Sequence, residues 1–185
     1  MAKKNNSKIQ KKEHDDSNLE KAVAMTAAIL SVLLAISSIF GGQAGGDATK
    51  NLVQSTDQWA FYQAKSIKGN LYEADKAMLQ TQRNNTANTP EYNIALDKQI
   101  ADFDTKITKY NTEKADIQKN AQDLEKASQS ADEKSNMYDY ANGFYQIAII
   151  LAAIAILIKK RYMLYGSIAL GLIGTGIAVY AFMMV

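Results

Sequence analysis

The chain has 185 residues, with 21 basic and 19 acidic side chains, one His, one Pro and no Cys. Without cysteine there is no disulfide framework, thiolate metal site or Cys nucleophile, and a lone His14 in a charged N-terminal stretch leaves little material for His-based metal binding or acid–base catalysis. The net charge of +2 has no long one-signed segment behind it, so no surface of the kind that tracks a nucleic-acid backbone is expected.

A mean hydropathy of −0.24 would suit a soluble protein. The apolar residues are concentrated, however: Ala22–Phe40 and Tyr140–Ile158 are uncharged runs of 19 residues and Tyr162–Val185 is one of 24. About 20 such residues cross the ~30 Å hydrocarbon core of a bilayer as a helix. The predicted class is therefore an all-α membrane protein, with three transmembrane helices and a long antiparallel coiled-coil helical hairpin between the first and the second.

In chain order, residues 1–17 read as a polar tail and 18–40 as the first span. Ser17-Asn18-Leu19-Glu20 has the form of a capping box, which places the start of the first helix near Asn18. A run of 19 exceeds the 7–15 apolar residues of a cleaved signal peptide, so the span is read as a retained anchor. Residues 41–139 form the middle segment, bounded by Gly41-Gly42 and Gly45-Gly46 at one end and Asn142-Gly143 at the other, with a turn between Asn84 and Pro90. Two helical arms, about 47–83 and 90–139, follow from those breakers, with Thr89 as the N-cap and Pro90 at the first helical position. Residues 140–158 are the second span, 159–161 a basic link and 162–185 the third span.

Periodicity predicts how the arms pair. Steps of 4 and 3 from Leu96 pick out Ile100, Phe103, Ile107, Tyr110, Lys114, Ile117, Ala121, Leu124, Ser128, Ala131, Ser135 and Tyr138. The same spacing on the first arm picks out Val53, Asp57, Ala60, Ala64, Ile67, Leu71, Ala74, Met78 and Thr81. Folding about Ala87 pairs positions that sum to 174, so the expectation is that these two seams face each other, with Asp57 and Lys114 as a polar layer that sets register. A functional ion site at that pair is the alternative. A second stripe on the first arm, Leu52, Ser55, Trp59, Tyr62, Ser66 and Gly69, then lacks a partner. Leu52, Trp59, Tyr62 and Ser66 are the expected interface with another copy or with an envelope protein, the alternative being that the aromatics pack on a splayed Tyr138 or on the base of the hairpin.

The spans carry small residues four apart: Ala27, Ser31 and Ala35, then Ala148 and Ala152, then Ser167, Gly171 and Thr175. This spacing permits close helix contact in lipid. The uncharged runs 22–40, 140–158 and 162–185 contain no Asp, Glu, Lys, Arg or His, which argues against a proton relay or pump. Six lysines precede the first span, and Lys159, Lys160 and Arg161 separate the second from the third. The positive-inside rule makes that side cytoplasmic and leaves the hairpin and the C-terminus outside.

A first span followed by Gly41-Gly42, then Asp57-Gln58-Trp59-Ala60-Phe61-Tyr62-Gln63-Ala64-Lys65-Ser66-Ile67-Lys68 and Leu71-Tyr72-Glu73, resembles the bacterial membrane proteins catalogued as domain of unknown function 4337. Phe61 stands where that pattern has tyrosine. The resemblance implies an envelope protein in the inner membrane and carries no activity. The expected role is an oligomeric scaffold or partner-docking subunit without catalytic, cofactor or metal residues, in contact with membrane lipid. A channel or transport accessory, with Thr26, Ser31, Ser37 and Ser38 as a polar stripe, is the alternative. Enzymatic candidates would be Asp57, Glu73, Asp102 and Asp104, on helices polar enough that a solvated face explains them.

Overall fold

The computed structural model describes the backbone of residues 2–184 and the side chains of residues 16–184. It contains three helices: α1 (Ala2–Arg83), α2 (Pro90–Ile158) and α3 (Arg161–Met183). No strand occurs among the described residues. All three helices include a stretch long and apolar enough to cross a membrane. The expected breaks at the glycines and near Asn18 do not occur, because α1 is one helix of 82 residues. The capping box at Ser17 is bypassed: no Gly or Pro precedes Gly41, so nothing stops helical hydrogen bonding from continuing upstream. Likewise α2 runs through Asn142-Gly143 without interruption.

The chain divides into two compact units, Met1–Ala48 with Ser130–Val185, and Thr49–Gln129. In the first unit α2 supplies alanines to the core: Ala141, Ala148, Ala152 and Ala155 are fully buried. Leu19, Val23 and Leu164 pack on Ala152 and Ala155, and Leu30 packs with Ala141, Tyr145 and Ala148. Side chains this small let neighbouring helices approach closely, which in lipid replaces the hydrophobic drive available in water. The glycines take part in the same close packing. A Cβ on Gly41 would lie 2.9 Å from Tyr138 Cβ, and Ser135 Oγ donates to the Gly41 carbonyl at 3.1 Å.

The two ends of this unit differ chemically. At one end Lys159 Nζ meets Asp16 at 2.7 Å, so the residues preceding the first span and the α2–α3 link lie together. Lys159 adopts φ 53. The Lys160 N–H bonds Ala155 O and the Lys159 N–H bonds Ile156 O, which closes α2 in a Schellman arrangement and turns the chain into α3 within two residues. At the other end Phe40 stacks on Tyr138 and meets Phe182 edge-on, each at 6.1 Å, while Lys134 Nζ donates to Met184 O at 2.8 Å.

In the second unit α1 and α2 are joined by residues 84–89 and make antiparallel contacts. Arg83 pairs with Asp97, Lys76 with Asp104 and Lys65 with Glu113, while Ser55 bonds Ala121. The connection is built as its residues require. The Thr89 hydroxyl accepts the Tyr92 N–H at 3.3 Å, Pro90 opens α2, and Asn85 Oδ1 accepts the Ala87 N–H.

Gly41 and Gly42 make a paired test of the close approach, because a Cβ on Gly42 would meet nothing within 4 Å. Gly41→Ala is expected to cost about 1–3 kcal/mol through overpacking, and Gly42→Ala to gain up to about 1 kcal/mol from helix propensity. Thermal melting of both variants in detergent, followed by circular dichroism, measures the difference in sign.

Candidate functional site

In the segment 52–81, α1 presents two stripes, each with 3,4 spacing. Val53, Asp57, Ala60, Ala64, Ile67, Leu71, Ala74, Met78 and Thr81 are all exposed. By contrast, none of the thirteen α2 seam positions from Leu96 to Tyr138 is exposed. The α2 seam is thus covered as its spacing requires, and the α1 stripe expected to face it points away from it.

The stripe that meets α2 is the one expected to be an outer interface. Ser55 is 1% exposed, and its hydroxyl donates to Ala121 O at 3.1 Å. Trp59 Nε1–H donates to Glu125 Oε1 at 3.2 Å, and Tyr62 packs edge-on against Trp59. Ser66 is half-buried and Gly69 is buried, with Tyr110 Cβ 3.7 Å from where a Gly69 Cβ would stand. Trp59, Tyr62 and Ser66 are thus partly covered within the chain, Trp59 through its bond to α2. Leu52, at the edge of the stripe, is 55% exposed.

The choice of face has an electrostatic cause. Turning the Val53 stripe inward would place Asp57 on a seam whose one charged residue is Lys114, and burying such a pair costs the desolvation of both charges. The expected polar layer accordingly does not form: Asp57 is exposed, Lys114 is half-buried on the α2 seam, and no ion pair joins them. The Ser55–Trp59 stripe supplies donors that find acceptors on α2, so its polar atoms enter the contact already paired.

A row of charges completes the contact. Lys65, Lys76 and Arg83 on α1 meet Glu113, Asp104 and Asp97 on α2 at 2.5, 2.5 and 3.0 Å. The last two pairs each sum to 180, so the pairing axis lies about three residues beyond Ala87. Between them Tyr72 lies 5.6 Å from Phe103 and 5.7 Å from Tyr110, with Lys106 over the Tyr72 ring and Lys65 over Tyr110. Lys65 holds the Glu113 carboxyl below its usual value of 4.5, first by hydrogen bonding and then by charge; Glu113 in turn raises Lys65 above 10.5. Sequence inspection by apolar spacing misses these pairs.

In the spans, Ala148, Ala152, Ser167 and Gly171 are buried and Ala27 and Thr175 half-buried, whereas Ser31 and Ala35 are exposed. The face of α1 that packs is instead Val23, Ala27, Leu30 and Ser37. Of the hydroxyls considered as a pore stripe, Thr26 and Ser31 donate to their own helix at Ala22 O and Ala27 O, Ser37 is buried and Ser38 is exposed. Of the basic link, Lys159 pairs with Asp16, while Lys160 and Arg161 lie exposed at the α2–α3 connection.

The family model described as Domain of unknown function (DUF4337) matches residues 19–184. The chain belongs to this family. The match takes in both α1 stripes and the whole of α2 and α3. Searches of the curated proteins and of the solved structures find no match.

The Lys65–Glu113 pair gives a pH prediction. A depressed carboxyl stabilises the fold above its ordinary pKa and loses that contribution as pH falls through its lowered one; a raised amine contributes below its ordinary pKa. The pair therefore acts fully between 4.5 and 10.5. Glu113→Gln is expected to lower the melting midpoint slightly at pH 7, since the pair is part-exposed. That difference from the unmodified chain should close as the pH drops below 4.5, which parallel melts across pH 3–8 would record.

Proposed function

We propose that the chain is a non-enzymatic, membrane-anchored protein of the bacterial inner membrane. It acts as an oligomeric scaffold or docking subunit through a coiled-coil hairpin outside the membrane. Three helices able to cross a bilayer support the anchor. The lysines before the first span and the Lys159-Lys160-Arg161 link support a cytoplasmic N-terminus, and the Lys159–Asp16 pair accords with both lying on one side. The antiparallel contacts of residues 49–129 support the hairpin.

The observation that carries the docking role is the exposed stripe from Val53 to Thr81. Its apolar residues recur at helix-pairing intervals on a surface that the chain itself leaves uncovered. Its four largest aliphatic side chains are all more than half exposed, as a face reserved for another helix would be. No Asp, Glu, Lys, Arg or His lies within the runs 22–40, 140–158 and 162–185, which accords with anchoring rather than charge transport.

The lack of native cysteine makes a direct test simple. In intact cells stripped of any outer barrier, Thr86→Cys is expected to react with a membrane-impermeant maleimide, and Lys160→Cys only after permeabilisation. The reverse pattern would place the hairpin inside and overturn the reading. Purified chain in liposomes is expected to pass no ions, and measurable flux would favour a channel subunit instead.

A further inference from the structure

We infer that the exposed stripe of α1 is a self-association seam, on which a second copy of this chain pairs in parallel and in register. The inference rests on the membrane-anchored reading above and names its partner. Written as a heptad, Asp57, Ala64, Leu71 and Met78 occupy a positions, and Val53, Ala60, Ile67, Ala74 and Thr81 occupy d positions. Relative to this seam, Ser55, Tyr62 and Gly69, which face α2, fall at f, diametrically opposite on the helix. The fold therefore spends one face of α1 on α2 and leaves the a/d face entirely to water: Ile67 is 69% exposed, Met78 59% and Leu71 58%.

Three observations select a second copy as the occupant. First, a sustained 3.5-residue repeat fits a helix of the same repeat, and the α1 of another copy carries it, with large layers at Ile67, Leu71 and Met78 separated by alanine layers that let backbones approach. Secondly, the flanks match in the parallel register. There each g residue meets the e residue five positions later on the partner, which sets the Gln63 amide carbonyl beside the Lys68 ammonium and the Asn70 amide N–H beside the Asp75 carboxylate. No such pair opposes like charges. Thirdly, Val53, Phe61, Ile67, Leu71 and Met78 are each more than half exposed, and pairing would remove this apolar surface from water.

Direction follows from the anchor. Copies held in the same sense in one bilayer by the span at the start of α1 present this helix in parallel. One layer opposes association: at Asp57 two carboxylates meet across the seam. This repulsion weakens the pair without abolishing it, and is a signature that a partner of different sequence would not share.

The test uses the full-length chain in native membranes and in mild detergent. Ile67→Cys and Met78→Cys are each expected to form a disulfide-linked dimer on mild oxidation, and Lys119→Cys, exposed on α2, to form none. Absence of the dimer at both seam positions, or crosslinking at Ile67→Cys alone, as an antiparallel pair would give, overturns the inference. The double variant Ile67→Glu, Leu71→Glu is expected to halve the native mass while leaving the helical circular dichroism unchanged, because neither side chain is buried within the chain. Asp57→Asn is expected to tighten the dimer several-fold. A dimer indifferent to the Glu pair overturns the inference, as does an unmodified chain that is monomeric. A monomer that retains a second protein would overturn the self-pairing while leaving the docking reading intact; labelling of Thr86→Cys from the wrong side would instead overturn that reading itself.

Discussion

Between Leu52 and Thr81, helix α1 can bury only one of its two apolar faces against α2, and the polar atoms on each face decide which. Inward packing of the Val53 face would desolvate Asp57 and Lys114 together, a cost that their attraction does not readily repay. Inward packing of the Ser55 face sets the Ser55 hydroxyl on Ala121 O and the Trp59 indole N–H on Glu125. The rest of the second unit follows from that choice. It brings Tyr72 between Phe103 and Tyr110 and aligns Lys65, Lys76 and Arg83 with three carboxylates. The ion pairs are part-exposed and individually weak. Each sets a base of α1 against an acid of α2.

The first unit answers a different requirement. In lipid, burial of apolar surface no longer drives helices together, and contact geometry takes over. Four alanines with no exposed surface on α2, together with Gly41, Ser167 and Gly171, bring three helices close enough for side chains such as Leu30 and Tyr145 to fill the spaces between. Aromatic rings close one end and an ion pair closes the other. The two units thus use opposite strategies, with small residues in one and rings and charges in the other. This division accounts for a composition that averages to the values of a soluble protein.

The molecule combines three helices able to cross a membrane with an exposed helical stripe on α1. Membership of a family defined by a domain of unknown function supplies no chemistry, so function has to be argued from exposed surface. The a/d stripe of α1 is the most ordered such surface in the second unit, since nine positions at regular spacing are all exposed. It lies opposite the stripe that meets α2, so α1 carries two faces with helix-pairing spacing, one of them exposed.

Sequence alone was sufficient wherever a pattern had a single physical solution. The three uncharged runs require helices able to cross a membrane, whatever the fold around them. Thr89-Pro90 requires a helix start, and the turn forms there. The α2 seam from Leu96 to Tyr138 is the only apolar stripe on its arm, so its spacing alone identified the covered face. On α1 the same spacing occurs twice, and two stripes about two residues apart lie roughly 200° apart on a helix. Periodicity is blind to that difference. Only the tertiary structure decided between them, because the deciding terms are the positions of Ala121 O and the Glu125 carboxylate, which exist as partners for Ser55 and Trp59 only after α2 has been laid alongside.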